Sequence, residues 1–86
     1  MSKEIFLKCY FDKEKVRSQL KEYIYSEDES FNEFILSYLD KWIWIYFCEE
    51  SGYNYLNVKF SKHFLSNEIQ LFVKELESLG YAIDEF

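Results

Sequence analysis

Proline is absent from the 86-residue chain, and glycine occurs only at Gly52 and Gly80. Scarcity of both argues against a disordered linker or a collagen-like segment. It also leaves no glycine-rich loop that could cradle a phosphate. Histidine occurs once, as His63, which excludes a metal site built on several histidines. Cys9 and Cys48 are the only cysteines and lack the CxxC spacing of a zinc site or redox pair. Small secreted scaffolds carry more cysteines, so both read as reduced, buried, cytosolic thiols. A disulfide between them stays open if their strands lie side by side. The longest uncharged apolar run, Trp42 to Cys48, falls far below the ~20 residues needed to cross a bilayer. Met1 to Lys8 lacks the uninterrupted apolar stretch of a signal peptide. The expected location is the cytoplasm, with no membrane contact.

Catalytic arrangements are equally scarce. A Cys–His nucleophilic pair would need Cys9 or Cys48 beside His63, and nothing local arranges it. Glu49-Glu50 and Asp84-Glu85 are adjacent carboxylates, which point to opposite faces of a strand and form no acid–base dyad. The chain is expected not to be an enzyme, and nothing in it requires a cofactor.

What it has in quantity is aromatic side chains and acid. Two Trp, eight Tyr and nine Phe make 22% of the residues, and sixteen Asp/Glu against ten Lys/Arg give a formal charge of −6. The size fits one compact domain over residues 1–86. The acidity opposes direct nucleic-acid binding, which needs a basic face. Residues 27–50 concentrate the charge: seven acids (Glu27, Asp28, Glu29, Glu33, Asp40, Glu49, Glu50) against Lys41 alone, a balance of −6. Glu49, Glu50 and Lys41 also flank an aggregation-prone apolar window. Lys13, Arg17 and Lys21 form the one basic stripe, read as a solvated helix face partly paired with Glu14 or Glu22.

Periodicity gives the expected elements. Lys3 to Phe11 alternates with Ile5, Leu7, Cys9 and Phe11 on one side, which predicts a strand. Asp12 caps a helix whose stripe is Val16, Leu20, Tyr23 and Ile24. Ser26 to Glu29 reads as a connection. Ser30-Phe31-Asn32-Glu33 has capping-box spacing, and Phe34, Ile35, Tyr38 and Leu39 follow at helical intervals. A second helix, or a kinked continuation of the first, is expected to about Lys41. Trp42–Cys48 and Tyr55–Phe60 read as a hairpin around a turn at Ser51-Gly52-Tyr53-Asn54. Ser66 or Asn67 starts a last helix with Ile69, Phe72, Val73, Leu76 and Leu79 inward and Gly80 as its C′ residue. Tyr81 to Phe86 could add a short strand. The predicted fold is a small α+β two-layer sandwich: an antiparallel sheet of three to four strands with two to three helices on one face, in the ferredoxin-like βαββαβ order. Two rivals omit the last strand or extend the second helix through Trp44.

In that architecture Ile43, Ile45, Phe47, Leu56, Val58 and Phe60 face the helices. Trp42, Trp44, Tyr46, Cys48, Tyr55, Asn57, Lys59, Phe6, Lys8 and Tyr10 then share the uncovered side. Large amphipathic aromatics on a bare face are characteristic of interfaces. Trp44, Tyr46 and Tyr55 are the candidate aromatic anchors, and the seven acids of residues 27–50 are the candidate steering charges toward a basic protein partner. An RNA-stacking role is disfavoured, because Tyr53 to Phe60 has no glycine-bearing RNP1 pattern. No motif places the chain in a family. In size, acidity and lack of catalytic residues it resembles small inhibitors such as phage anti-CRISPR proteins and toxin-immunity proteins. That resemblance implies stoichiometric inhibition of a basic nucleic-acid-processing protein. The alternative is a structural or regulatory domain that homodimerises through the aromatic face.

Overall fold

The computed structural model describes residues 3–50 and 52–83. They form strands β1 (Lys3–Cys9), β2 (Ile24–Asp28), β3 (Glu33–Tyr38), β4 (Lys41–Glu50), β5 (Tyr53–Phe60) and β6 (Ala82–Ile83), and helices α1 (Lys13–Gln19) and α2 (Ser66–Ser78). All six strands belong to one sheet, in the order β2-β3-β4-β5-β1-β6. Every neighbouring pair is antiparallel. Strands β2 to β5 make a meander, and β1 inserts between β5 and β6.

This overturns the ferredoxin-like sandwich of three to four strands. The expected second helix is the source of the error. A single 3-10 turn at Glu29–Phe31 and strand β3 occupy its place. Asn32 stops the turn in the left-handed region at φ 52°, and the Asp28 carboxylate accepts the Ser30 amide (3.0 Å), so the capping box does not form. Phe34 and Leu36 are both fully buried, a period of two rather than 3.6. The helix stripe drawn from Asp12 to Ile24 is also too long. After Gln19 the chain turns through Leu20, and Ile24 opens β2 on the sheet edge. Tyr53 and Asn54, expected in a turn, belong to β5, and Ser51 lies outside the described residues. Of the expected terminal strand, Ala82–Ile83 is present as β6, and 84–86 lie outside the described residues. The hairpin of Trp42–Cys48 with Tyr55–Phe60 is present as β4–β5, in register from Ile43↔Phe60 to Glu50↔Tyr53.

One face of the sheet holds the core. Leu7, Phe34, Leu36, Ile43, Ile45, Leu56, Val58 and Phe60 are fully buried there. Val16 and Leu20 from the α1 segment, and Ile69, Phe72, Val73 and Leu76 from α2, close over them. Burying a side chain of this size contributes about 1.5–3 kcal/mol, so the contact between sheet and helices is a main source of stability. Phe72 is the hub of an aromatic cluster. Its ring lies 4.8 Å from Tyr38, 5.9 Å from Tyr23 and 6.0 Å from Phe60, centroid to centroid. These rings come from β3, the α1–β2 turn and β5, so one helical residue ties three separate segments together.

Ion pairs fasten the rim of the helix layer. Arg17 donates two hydrogen bonds to Glu27 of β2 (2.8 and 2.6 Å) and also meets Glu14. Lys41, at the start of β4, pairs with Glu68 in the first turn of α2, and Glu68 also accepts the Leu65 amide (2.8 Å). These partners hold the carboxyls of Glu27 and Glu68 below their ordinary range, through Arg17 for the first and the Leu65 amide for the second.

Helix α2 ends in a Schellman motif. The Tyr81 amide donates to the Leu76 carbonyl (3.2 Å) and the Gly80 amide to Glu77 (3.0 Å). Gly80 sits at φ +106°, and a Cβ there would lie 2.9 Å from Cζ of Phe11. At the β3–β4 hairpin the register Tyr38↔Lys41 leaves a two-residue loop, Leu39 and Asp40, at φ 53° and 60°. Positive φ at both positions defines a type I′ turn, which favours Asn-Gly and is strained for leucine.

The two turns respond oppositely to substitution. Gly80→Ala is expected to lower stability by about 1–3 kcal/mol, from backbone strain and the close approach to Phe11. The double change Leu39→Asn, Asp40→Gly is expected to raise it by about 1 kcal/mol. Urea unfolding followed by tryptophan fluorescence measures both, and equal midpoints for the hairpin variant and the parent would refute the strained-turn assignment.

Candidate interaction surface

The face of the sheet opposite the helices carries the side chains that alternate with the core. Antiparallel register puts cross-strand partners on the same face, so the side chains form continuous rows. The middle row runs Asp28, Glu33, Tyr46, Asn57, Phe6 from β2 to β1. The next row toward the β3–β4 turn is Ser26, Ile35, Trp44, Lys59, Glu4, followed by Ser37 and Trp42. Toward the β4–β5 tip comes a third row, Cys48, Tyr55, Lys8, Ala82.

Trp44, Tyr46 and Tyr55, the three expected anchors, therefore stand side by side, each half-buried by its neighbours. Trp42 is 42% exposed and meets Tyr25 edge-on at 5.0 Å. Lys59 reaches over the Tyr46 ring (5.3 Å) and pairs with Glu4 (3.5 Å). A hydrogen bond with Glu33 pushes the Tyr46 phenol up, and contact with Cys48 does the same for Tyr55. Phe6 packs 6.3 Å from Tyr55. Oδ1 of Asn57, at the centre of the face, is buried without a hydrogen-bond partner among the described residues. No described helix lies over this face.

The acidic candidates divide. Asp28, Glu29 and Glu33 lie at the end of the sheet that also carries the β4–β5 tip, since the Phe47 amide bonds the Asn32 carbonyl (2.9 Å). Glu49 and Glu50 are the exposed last two residues of β4 at that tip, and Glu50 accepts a hydrogen bond from the Tyr55 hydroxyl at 3.4 Å. Asp40 belongs to the opposite end, in the β3–β4 turn. Glu27 is held by Arg17 on the helix side and offers little free charge. The seven acids are therefore not one patch: five share an end, and two are elsewhere. Sequence reasoning grouped them because they are neighbours in the chain, in and around an expected second helix that held Glu33 and Asp40 and at the tip of the hairpin.

It also passed over several aromatics at this end and along the edge. Tyr25, Phe31 and Tyr53 are 70%, 71% and 55% exposed, beside Tyr10, which the alternation of β1 places on the uncovered side and which is 78% exposed. Phe31 was hidden inside the apparent capping box, and Tyr25 occupies a β-bulge between Ile24 and Ser26, so neither fits a periodic pattern. A shallow depression lined by Lys8, Cys9, Tyr10, Gly52, Tyr53 and Asn54 lies beside them.

The residues with chemical potential do not converge. Cys9 is buried on the core side with its thiol pushed up by burial, Cys48 is on the open face, and both are free thiols. Strand β5 separates their strands, so the side-by-side placement a disulfide would need does not occur. His63 is exposed in the connection before α2. Among the described residues, no three His, Cys, Asp or Glu side chains are grouped to hold a metal ion, and no helix is long and apolar enough to cross a membrane. Comparison with protein families, curated proteins and solved structures finds no match.

An unpaired buried carbonyl oxygen costs about 1–3 kcal/mol. Asn57→Val, which removes it and suits a strand, is expected to raise the thermal midpoint. A lower midpoint would mean that the amide already makes a bond the isolated chain depends on.

Proposed function

We propose that this protein is a non-enzymatic binding domain that acts as a stoichiometric inhibitor of a basic, nucleic-acid-processing protein. The observation that carries the reading is the open sheet face, where Phe6, Ile35, Trp42, Trp44, Tyr46 and Tyr55 form one contiguous, half-exposed apolar surface. Contiguous apolar patches of this kind are uncommon on monomers, and Trp and Tyr are the side chains that dominate binding energetics. Support for the charge of the partner comes from the acidic end of the sheet: Asp28, Glu29, Glu33, Glu49 and Glu50, on a chain of formal charge −6. Such a field speeds association with a basic surface and falls with salt. Aromatics carry affinity in this reading, and acids carry the rate of encounter.

Affinity capture from nuclease-treated native lysate, read by mass spectrometry, tests it. One basic protein recovered near equimolar ratio by the parent is expected, with Trp44→Ala weakening retention more than about tenfold through a faster off-rate. Glu49→Lys with Glu50→Lys should slow association at low salt and leave the off-rate nearly unchanged. Capture that survives Trp44→Ala unaltered would show that the aromatic face is not the interface. An unchanged on-rate for the charge-reversed variant would remove the steering role.

A further inference from the structure

The β3–β4 turn carries strain that nothing inside the molecule offsets. Leu39 and Asp40 both hold positive φ, at 53° and 60°, where Asn-Gly would sit without strain. The Leu39 side chain is 50% exposed and lies outside the core cluster, so its burial returns little. An exposed leucine in a strained turn weakens the fold on both counts. Strain of this kind collects at sites that bind.

Other large apolar side chains share that end of the sheet. Trp42 stands in the row next to the turn, opposite Ser37, and Tyr25 meets it edge-on. The Ser61 amide donates to the Trp42 carbonyl (3.1 Å), which brings the β5–α2 connection alongside. Leu65 ends that connection and is held there through Glu68, which accepts its amide and pairs with Lys41. Leu39, Trp42, Tyr25 and Leu65 are all exposed. Charges at this end nearly cancel. Lys3, Lys21 and Lys62 stand against Glu22 and Asp40, a sum of +1, while Lys41 pairs with Glu68 and Lys59 with Glu4.

The far end differs in kind. It also exposes Tyr10, Phe31 and Tyr53, but among Asp28, Glu29, Glu33, Glu49 and Glu50, which make no ion pair among the described residues. Strand β4 joins the two ends, and its ten residues at about 3.3 Å each set them about 30 Å apart. The acidic end attracts at a distance, whereas the apolar end gains only from close, water-excluding contact. Trp42 belongs to both the open face and the apolar end, so one partner can cover the two together.

We infer that the β3–β4 end is the anchor of the interface: Leu39 and Trp42 fill an apolar pocket of the target, and the acidic end lies on its basic surface, about 30 Å away along β4. The inference rests on the open face being an interface, as proposed above, and adds what the target presents. A uniformly basic surface does not suffice; the target carries an apolar pocket at one end of the footprint and Lys and Arg at the other. Strain at Leu39 is then the stability given up to display an apolar anchor at the tip of a hairpin.

Photo-crosslinking in nuclease-treated native lysate is the test. Benzoylphenylalanine is placed at Leu39, Tyr46 or Glu49, and at the exposed Leu71 of α2 as the control. One protein should be crosslinked from the first three positions and not from Leu71. Its adducts with the Leu39 position should map to apolar side chains, and those with the Glu49 position to a segment rich in Lys and Arg. Against that protein, once purified, Leu39→Asn should raise the off-rate more than about tenfold. Asparagine tolerates positive φ, so this variant should unfold at a higher urea concentration than the parent while binding less well. Lost structure does not produce that combination. Crosslinks from Tyr46 and Glu49 but not from Leu39 overturn the anchor and leave the inhibitor reading standing. An unchanged off-rate for Leu39→Asn does the same. No crosslink from any of the three positions overturns both.

Discussion

The fold depends on the packing of Phe72, edge-on or tilted, against rings from three other segments. Tyr23 closes the α1–β2 turn, Tyr38 ends β3, and Phe60 ends β5, so the contacts of one residue set where the two helices lie across the sheet. Phe64 extends the cluster, 5.4 Å from Phe60, and Lys41 rests over its ring at 5.5 Å. Side chains from α1, α2 and the turn between Gln19 and Ile24 converge on the same side. Gln19 bonds the Leu79 carbonyl (3.1 Å) and Tyr23 meets Glu75. With both helices committed to one face, the chain has no described helix left for the other. The bare aromatic face is thus a consequence of how the core is built rather than an addition to it.

The same division separates the electrostatics. On the helix side, charges are matched locally: Arg17 with Glu27 and Glu14, Lys41 with Glu68. Partly exposed pairs of this sort add little to stability, but they fix the helices to strands β2 and β4 and so limit sliding of one layer on the other. At the acidic end, Asp28, Glu29, Glu33, Glu49 and Glu50 make no ion pair among the described residues, while Lys13 reaches Asn32 (2.8 Å) and lies 3.8 Å from Glu27 on the helix side. Long-range attraction and short-range contact are therefore assigned to different parts of the surface.

Much of the sheet's interior was legible in the sequence, and its edge was not. Strong alternation in Ile43–Phe47 and Leu56–Phe60 identified the hairpin and its faces, and the Ile69, Phe72, Val73, Leu76 stripe with Gly80 identified α2 and its end. The failure lies between Leu20 and Lys41. Phe34, Ile35, Tyr38 and Leu39 fit a helical period, while Phe34, Leu36 and Tyr38 fit a strand period equally well, and only pairing with β4 decides between them. The hairpin that makes this pairing turns on Leu39-Asp40, which carries none of the usual Asn-Gly signal. Misreading β2 as the end of a helix and a connection, and β3 as a helix, also gathered the acidic candidates wrongly, because a helix would hold together Glu33 and Asp40, which the strand sends to opposite ends.

The position of β1 has a consequence for how the chain reaches this state. Its seven residues pair with β5 from Lys3↔Phe60 to Cys9↔Asn54, whereas β2 to β5 join through local hairpins. The meander can assemble as soon as its own residues are present, but the first strand must wait for partners 45 to 57 positions away. Closing that long loop is entropically costly and slow compared with hairpin formation. During synthesis β1, with Ile5, Phe6 and Leu7, therefore emerges well before β5 and is shielded late. Lys3, Glu4 and Lys8 are then the charges that keep an unpartnered apolar strand from finding another chain before its own arrives.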